Sequence, residues 1–157
     1  MIKQPRLRWR TLLIALGSSY LLFNLFTSPT LRRFWLLATK SCVNCNLSDQ
    51  SLERVDLSGA AFKGANLQRA NLSGTNLIKA DLRAANLSGA NLKATVLDNA
   101  DLSGANLSGA NLNGAWLERA NLRGANLSGA NFDRAHLSGA NLDRANRSKA
   151  SFAEAEF

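Results

Sequence analysis

A period of five residues constrains this chain more than anything else in it. Aligned on Leu47 and stepped by five, the sequence presents 23 central positions up to Phe157, with no insertion or deletion. Leu fills 18 of them and Phe four (Phe62, Phe132, Phe152, Phe157); only Arg147 breaks the column. Two residues earlier the position is Ala in 18 of 23, the exceptions being Cys45, Gln50, Val55, Thr75 and Thr95. The residue just before the centre is Asn or Asp in 16, and ten of the 11 glycines sit two residues after it.

Five residues match neither a helix nor a strand, and the pattern is not a heptad. Asn and Gly recurring this often would also weaken any long helix. The period suits short extended pieces separated by tight turns, where Asn and Gly tolerate left-handed backbone angles. The central Leu and the Ala two before it share one face of an extended segment, so both can point inward. The 46% hydrophobic content is mostly these two columns.

The units Ala105-Asn106-Leu107-Ser108-Gly109 and Ala125-Asn126-Leu127-Ser128-Gly129 resemble the pentapeptide-repeat family, whose pattern is A(D/N)LXX. The resemblance covers about three quarters of the chain. It implies an all-β solenoid: a right-handed quadrilateral β-helix with four pentapeptides per coil. Here that means just under six coils, or about 28 Å at sheet spacing. The residues support four per coil independently. Seven positions before a centre are neither Asn nor Asp, and four of them (Val96, Trp116, His136, Glu156) share one 20-residue phase.

The chain divides into a basic tail at 1–10, a hydrophobic segment at 11–31, a connecting or capping segment at 32–44 and the solenoid at 45–157. Net charge is +8. Residues 1–40 hold seven bases (Lys3, Arg6, Arg8, Arg10, Arg32, Arg33, Lys40) and no acid, which leaves 12 bases against 11 acids in 41–157. The near-neutral solenoid gives little electrostatic reason to bind nucleic acid. Between Arg10 and Arg32 lie 21 residues without charge. As a helix that stretch would just span a bilayer, with Pro29 marking its end. A single-pass anchor is the expectation. A cleaved secretory signal, or a helix packed on the solenoid or lying at a membrane surface, are the alternatives. Four bases before the segment and three after it favour a cytoplasmic N-terminus and a solenoid on the extracytoplasmic or lumenal side. Phe34, Trp35, Leu36 and Leu37 are apolar enough to lid the first coil.

Cys42 and Cys45 have redox or metal spacing, but one pair and one distant His cannot build a four-ligand zinc site within the chain. Cys42 extends the Leu column back by one repeat and Cys45 lies on the Ala column, so both are expected to face inward in the first coil. A disulfide or redox role, and a metal shared between chains, are the other readings. Similar Cys-x-x-Cys leaders open many members of the family the chain resembles, cyanobacterial ones among them. Asp98 and Glu118 share an outward column one coil apart. Paired carboxylates can exchange protons, but here a solvated charge ladder neutralised by Lys79, Arg119 or Arg134 is expected. No serine has a His–Asp partnership, and no glycine-rich loop precedes a helix. Neither catalysis nor a cofactor nor a metal is expected.

The strip Val96–Trp116–His136, flanked by Ile78, is the candidate partner surface, because exposed patches rich in Trp mark such surfaces. His136 taken alone reads as a solvated surface residue. Arg147 on an inward column is costly to bury, so it is expected to leave through the open end or to pair with Glu154 or Glu156. Packing is expected to loosen near residue 145, with Phe152 and Phe157 plugging the end or meeting a second copy. Family members that dimerise through C-terminal coils imply a possible homodimer. The function expected is a non-catalytic, membrane-anchored scaffold or protein-interaction module. The alternative that the resemblance brings is a DNA-mimic regulator of a topoisomerase, which wants a strongly acidic surface that this chain lacks.

Overall fold

The structure is a computed structural model that describes residues 36–157. Residues 1–10, the 11–31 segment and the first part of 32–44 lie outside the described residues, and so does the expectation of an N-terminal helix there. No helix among the described residues is long and apolar enough to cross a membrane.

Each pentapeptide closes one turn of backbone and one step of a ladder. The N–H of the residue after each turn, Val55 excepted, donates back to the central carbonyl, as Ala60 does to Leu57 at 3.0 Å. The residue two after the centre has positive φ throughout, Gly or not, as a turn of this kind requires. The Asn residues before the centre are not left-handed; their recurrence has a different cause, given below. The central N–H then donates to the next coil, as Leu107 does to Asn126 at 2.7 Å, and Asn126 returns a bond to Ala105 at 2.9 Å. Twenty parallel bridges, from Ser41↔Ala61 to His136↔Glu156, all join residues 20 apart. Four pentapeptides therefore make a coil, and every outward column has a period of 20.

The ladder opens at Ser41, four residues ahead of 45, because Cys42 already occupies the central column and donates to Ala61 at 2.7 Å. Inside, the central Leu and Phe side chains and the Ala column form one buried core running up the axis. Large and small inward residues alternate, which fills a narrow interior without voids. Thr75 and Thr95 interrupt the Ala column and are fully buried. Their hydroxyls donate to the carbonyls of Leu52 and Leu72, which satisfies them in place.

The two ends differ. At the first coil a helical turn at 36–39 sets Leu36 over the core at 0% exposure, while Leu37 stays 40% exposed. Only Leu36 of the described lid residues is buried. Beneath it Cys42 and Cys45 are both buried and joined by a disulfide. Lys40 then reaches sideways, its Nζ donating to Asp56 Oδ2 at 3.0 Å and to Ser58 Oγ at 3.1 Å.

At the other end the turns keep register to Phe157, yet full burial of the inward columns stops at Leu137. The loosening begins ahead of residue 145, at Ala140, because the last coil has no coil above it. Phe152 stacks on Phe132 at 5.0 Å, and Phe157 tilts against Phe152 but remains 68% exposed, so it does not plug the end. Arg147 is exposed at the open end. Glu154 pairs with Arg134 and Glu156 with His136 instead, each at 2.8 Å.

Candidate partner-binding face

The recurrent Asn or Asp earns its place through its side chain. In all 16 positions before a centre where it occurs, Oδ1 accepts the backbone N–H two residues on. That bond holds the chain into its turn, as an Asx-turn does. On one face the amide also donates to the Asn of the coil before it. The column Asn46, Asn66, Asn86, Asn106, Asn126, Asn146 is bonded throughout at 3.1–3.4 Å.

The face centred on Leu57, Leu77, Leu97, Leu117, Leu137 and Phe157 abandons this device. Its column before the centre reads Asp56, Asn76, Val96, Trp116, His136, Glu156, stacked coil on coil. Asp56 and Asn76 make the turn bond. Val96 and Trp116 have no side-chain oxygen with which to make it. Asp98, one coil before, lends Oδ1 to the N–H of Glu118 at 2.9 Å in place of the missing one.

Trp116 is 43% exposed and stacks on His136, ring centroids 4.0 Å apart and planes 19° from parallel. His136 Nδ1 lies 2.8 Å from Glu156 Oε2, which fixes the imidazole from the far side. Stacking on His136 covers one face of the indole. Val96, below it, is half-buried. Ile78 is half-buried on the column after the centre, one coil below Val96 and two below Trp116. It flanks the strip at a distance and does not join the stack.

Asp98 and Glu118 stand beside the tryptophan on that same column. Among the described residues neither forms an ion pair, and Arg134, expected to neutralise them, is taken by Glu154. Some carboxylates elsewhere on the surface are paired with bases, while Glu53, Asp133 and Asp143, like these two, form no ion pair among the described residues. Hydrogen bonding from Arg69 holds Asp49 below the usual carboxylate range, and Arg83 does the same for Asp81. Asp56 is lowered to about 2, first by the Ser58 N–H and then by Lys40. No cluster of three or more His, Cys, Asp or Glu that could hold a metal occurs among the described residues.

The pentapeptide repeats family matches in eight copies, at 41–77, 75–114, 85–124 and 120–157. The chain belongs to the pentapeptide repeat family. A search of curated proteins finds no match. Among solved structures, a pentapeptide repeat protein, Rfr23, from the cyanobacterium Cyanothece 51142 is 34% identical, with a TM-score of 0.63, over 82% of this chain and 99% of that one. HetL, a pentapeptide repeat protein involved in heterocyst differentiation regulation in Nostoc, is 31% identical over 74% of this chain and 71% of that one, with a TM-score of 0.30. QnrB1, a plasmid-mediated fluoroquinolone resistance protein, is 19% identical over 73% of this chain and 72% of that one, with a TM-score of 0.49. Its ladder of parallel bridges 20 residues apart makes the chain a β-helix, similar in fold to Rfr23.

Proposed function

We propose that this pentapeptide repeat protein is a non-catalytic interaction module that offers its tryptophan face to a protein partner. The observation that carries the reading is local. Three successive coils forgo the Asn turn bond and place Val96, Trp116 and His136 outward instead. Departures from an otherwise consistent pattern are where function is expected, because folding alone would favour the consensus residue. An exposed tryptophan, held in one orientation by a stacked and anchored histidine, loses little side-chain freedom on binding.

The solenoid on this reading has just under six right-handed coils. It is tethered to a membrane by the uncharged 11–31 segment and lies on the extracytoplasmic or lumenal side. A disulfide between Cys42 and Cys45 suits an oxidising compartment of that kind. The open C-terminal coil, with Phe157 exposed, is where a second copy would pair. The topoisomerase alternative is weakened by charge, since 12 bases against 11 acids over 41–157 leave the solenoid near neutral, where phosphate mimicry wants it strongly acidic.

The test compares partners captured by the wild-type protein and by Trp116→Ala, with thermal melting to show that both are folded. Loss of a specific partner from the variant supports the module. Identical capture removes the tryptophan face from consideration. Carbonate extraction of the full-length protein tests the tether separately, and release into the soluble fraction would exclude it.

A further inference from the structure

The 20-residue register sorts every charge of the solenoid onto one of four faces. The face of Leu52 is balanced, with Arg54, Lys93 and Arg134 against Glu53, Asp133 and Glu154. The faces of Leu47 and Cys42 carry an excess of bases. Only the tryptophan face is net negative: Asp56, Asp98, Glu118 and Glu156 outnumber Lys79 and Arg119 by two. The one face with an exposed tryptophan is therefore also the one acidic face.

This face already holds one basic side chain. Lys40 lies against it, its ammonium shared between Asp56 on the column before the centre and Ser58 on the column after it. Two and three coils further on, the column before the centre carries Val96 and Trp116, and the carboxylates stand on the column after it. There Asp98 and Glu118 stand unpaired among the described residues, next to the apolar edge of Val96 and Trp116. Lys and Arg are suited to such ground, because their stems lie on apolar surface while their heads seek carboxylates. The sign of the charge excludes the alternatives, since nucleic acid and anionic lipid would both be repelled.

We propose that the tryptophan face binds an extended, basic segment of a partner protein, its arginine or lysine heads on Asp98 and Glu118 and its stems along Val96 and Trp116. This rests on the interaction-module reading and names the partner's chemistry. Coils are roughly 4.8 Å apart, and same-side residues of an extended segment recur at about 6.7 Å. Two basic residues separated by one other can therefore reach adjacent rungs.

The test titrates the peptide acetyl-Gly-Arg-Gly-Arg-Gly-amide into the full-length protein in detergent and follows the indole N–H signal of Trp116. That signal is told from those of Trp9 and Trp35 by its absence in Trp116→Asn, a variant that restores the repeat consensus and so preserves the fold. A saturable shift is expected, with affinity falling about fivefold in Asp98→Asn/Glu118→Gln. In Trp116→Asn, which lacks the reporter, binding is followed by titration calorimetry and is expected to be lost. The proposal is overturned if millimolar peptide leaves the signal unmoved, if the carboxylate variant binds equally well, or if a citrulline peptide binds as well as the arginine one. It is overturned too if neutralising Arg32 and Arg33 shifts the Trp116 signal without peptide, since the chain's own leader would then be the occupant. A protein partner that still depends on Trp116 while the peptide fails would leave the interaction module standing and remove only the basic segment.

Discussion

Ala84 and Ala94 sit at φ of 54° and 53°, where ten other repeats carry glycine. The left-handed region is strained for a residue with a Cβ, so Ala84→Gly is expected to raise stability by about 0.5–1 kcal/mol in denaturant melts. The reverse change separates backbone strain from crowding. A Cβ at Gly109 would meet nothing, whereas one at Gly64 would run into Asn44 Oδ1. That oxygen is the far end of an exposed side chain that can turn aside, so Gly64→Ala and Gly109→Ala should lose similar stability, about 1 kcal/mol each, from backbone strain. Asp56 gives a pH signature. Its folded value is lowered from an ordinary 3.8 to about 2, so its contribution is present above pH 3.8 and lost as pH falls through 2. The difference in melting temperature between wild type and Asp56→Asn should shrink across that window and stay constant above it.

At the scale of the coil, the sequence made the architecture legible and left the hydrogen bonding hidden. Leu and Ala columns fix which side chains point inward, and the phase of Val96, Trp116, His136 and Glu156 disclosed the 20-residue coil. The work of the asparagines was not legible as such. Their frequency reads as a turn preference, yet the left-handed residue lies three positions further on, and the asparagine accepts the N–H of the residue just before that one. The partner strip was legible as a break in pattern. That Asp98 must substitute for a missing side chain beside Trp116 was not, because that bond joins residues 20 apart. The cysteines read as inward residues from their phase alone, but phase says nothing about whether two adjacent sulfurs are bonded. Val96→Asn should restore both the turn bond at Asp98 and the rung above Asn76. It is expected to stabilise the protein by about 1 kcal/mol, read as a higher denaturant midpoint with unchanged slope.

The whole molecule is a one-dimensional stack, so stability spreads from neighbour to neighbour and ends matter. One end is lidded by Leu36 and stapled by the disulfide; at the other, the central N–H groups of Leu142, Arg147, Phe152 and Phe157 have no backbone acceptor among the described residues. Hydrogen exchange should be fastest over 142–157 and slowest near 85–130. Reduction of Cys42–Cys45 should raise exchange in 41–60 while leaving the middle coils unchanged. Arg147 belongs to this picture, since an inward charge at an open edge discourages a further coil from stacking there.

The unbroken register has one more consequence. Because every pentapeptide closes its own turn, inserting five residues anywhere would leave the packing intact and turn everything downstream by a quarter revolution. Placed between Asp98 and Trp116, such an insertion would keep each side chain and every local bond within its repeat, yet carry the indole round a corner away from Asp98 and Lys40. Fold and address are thus written separately in this chain: the unit of five preserves the one, and only multiples of 20 preserve the other.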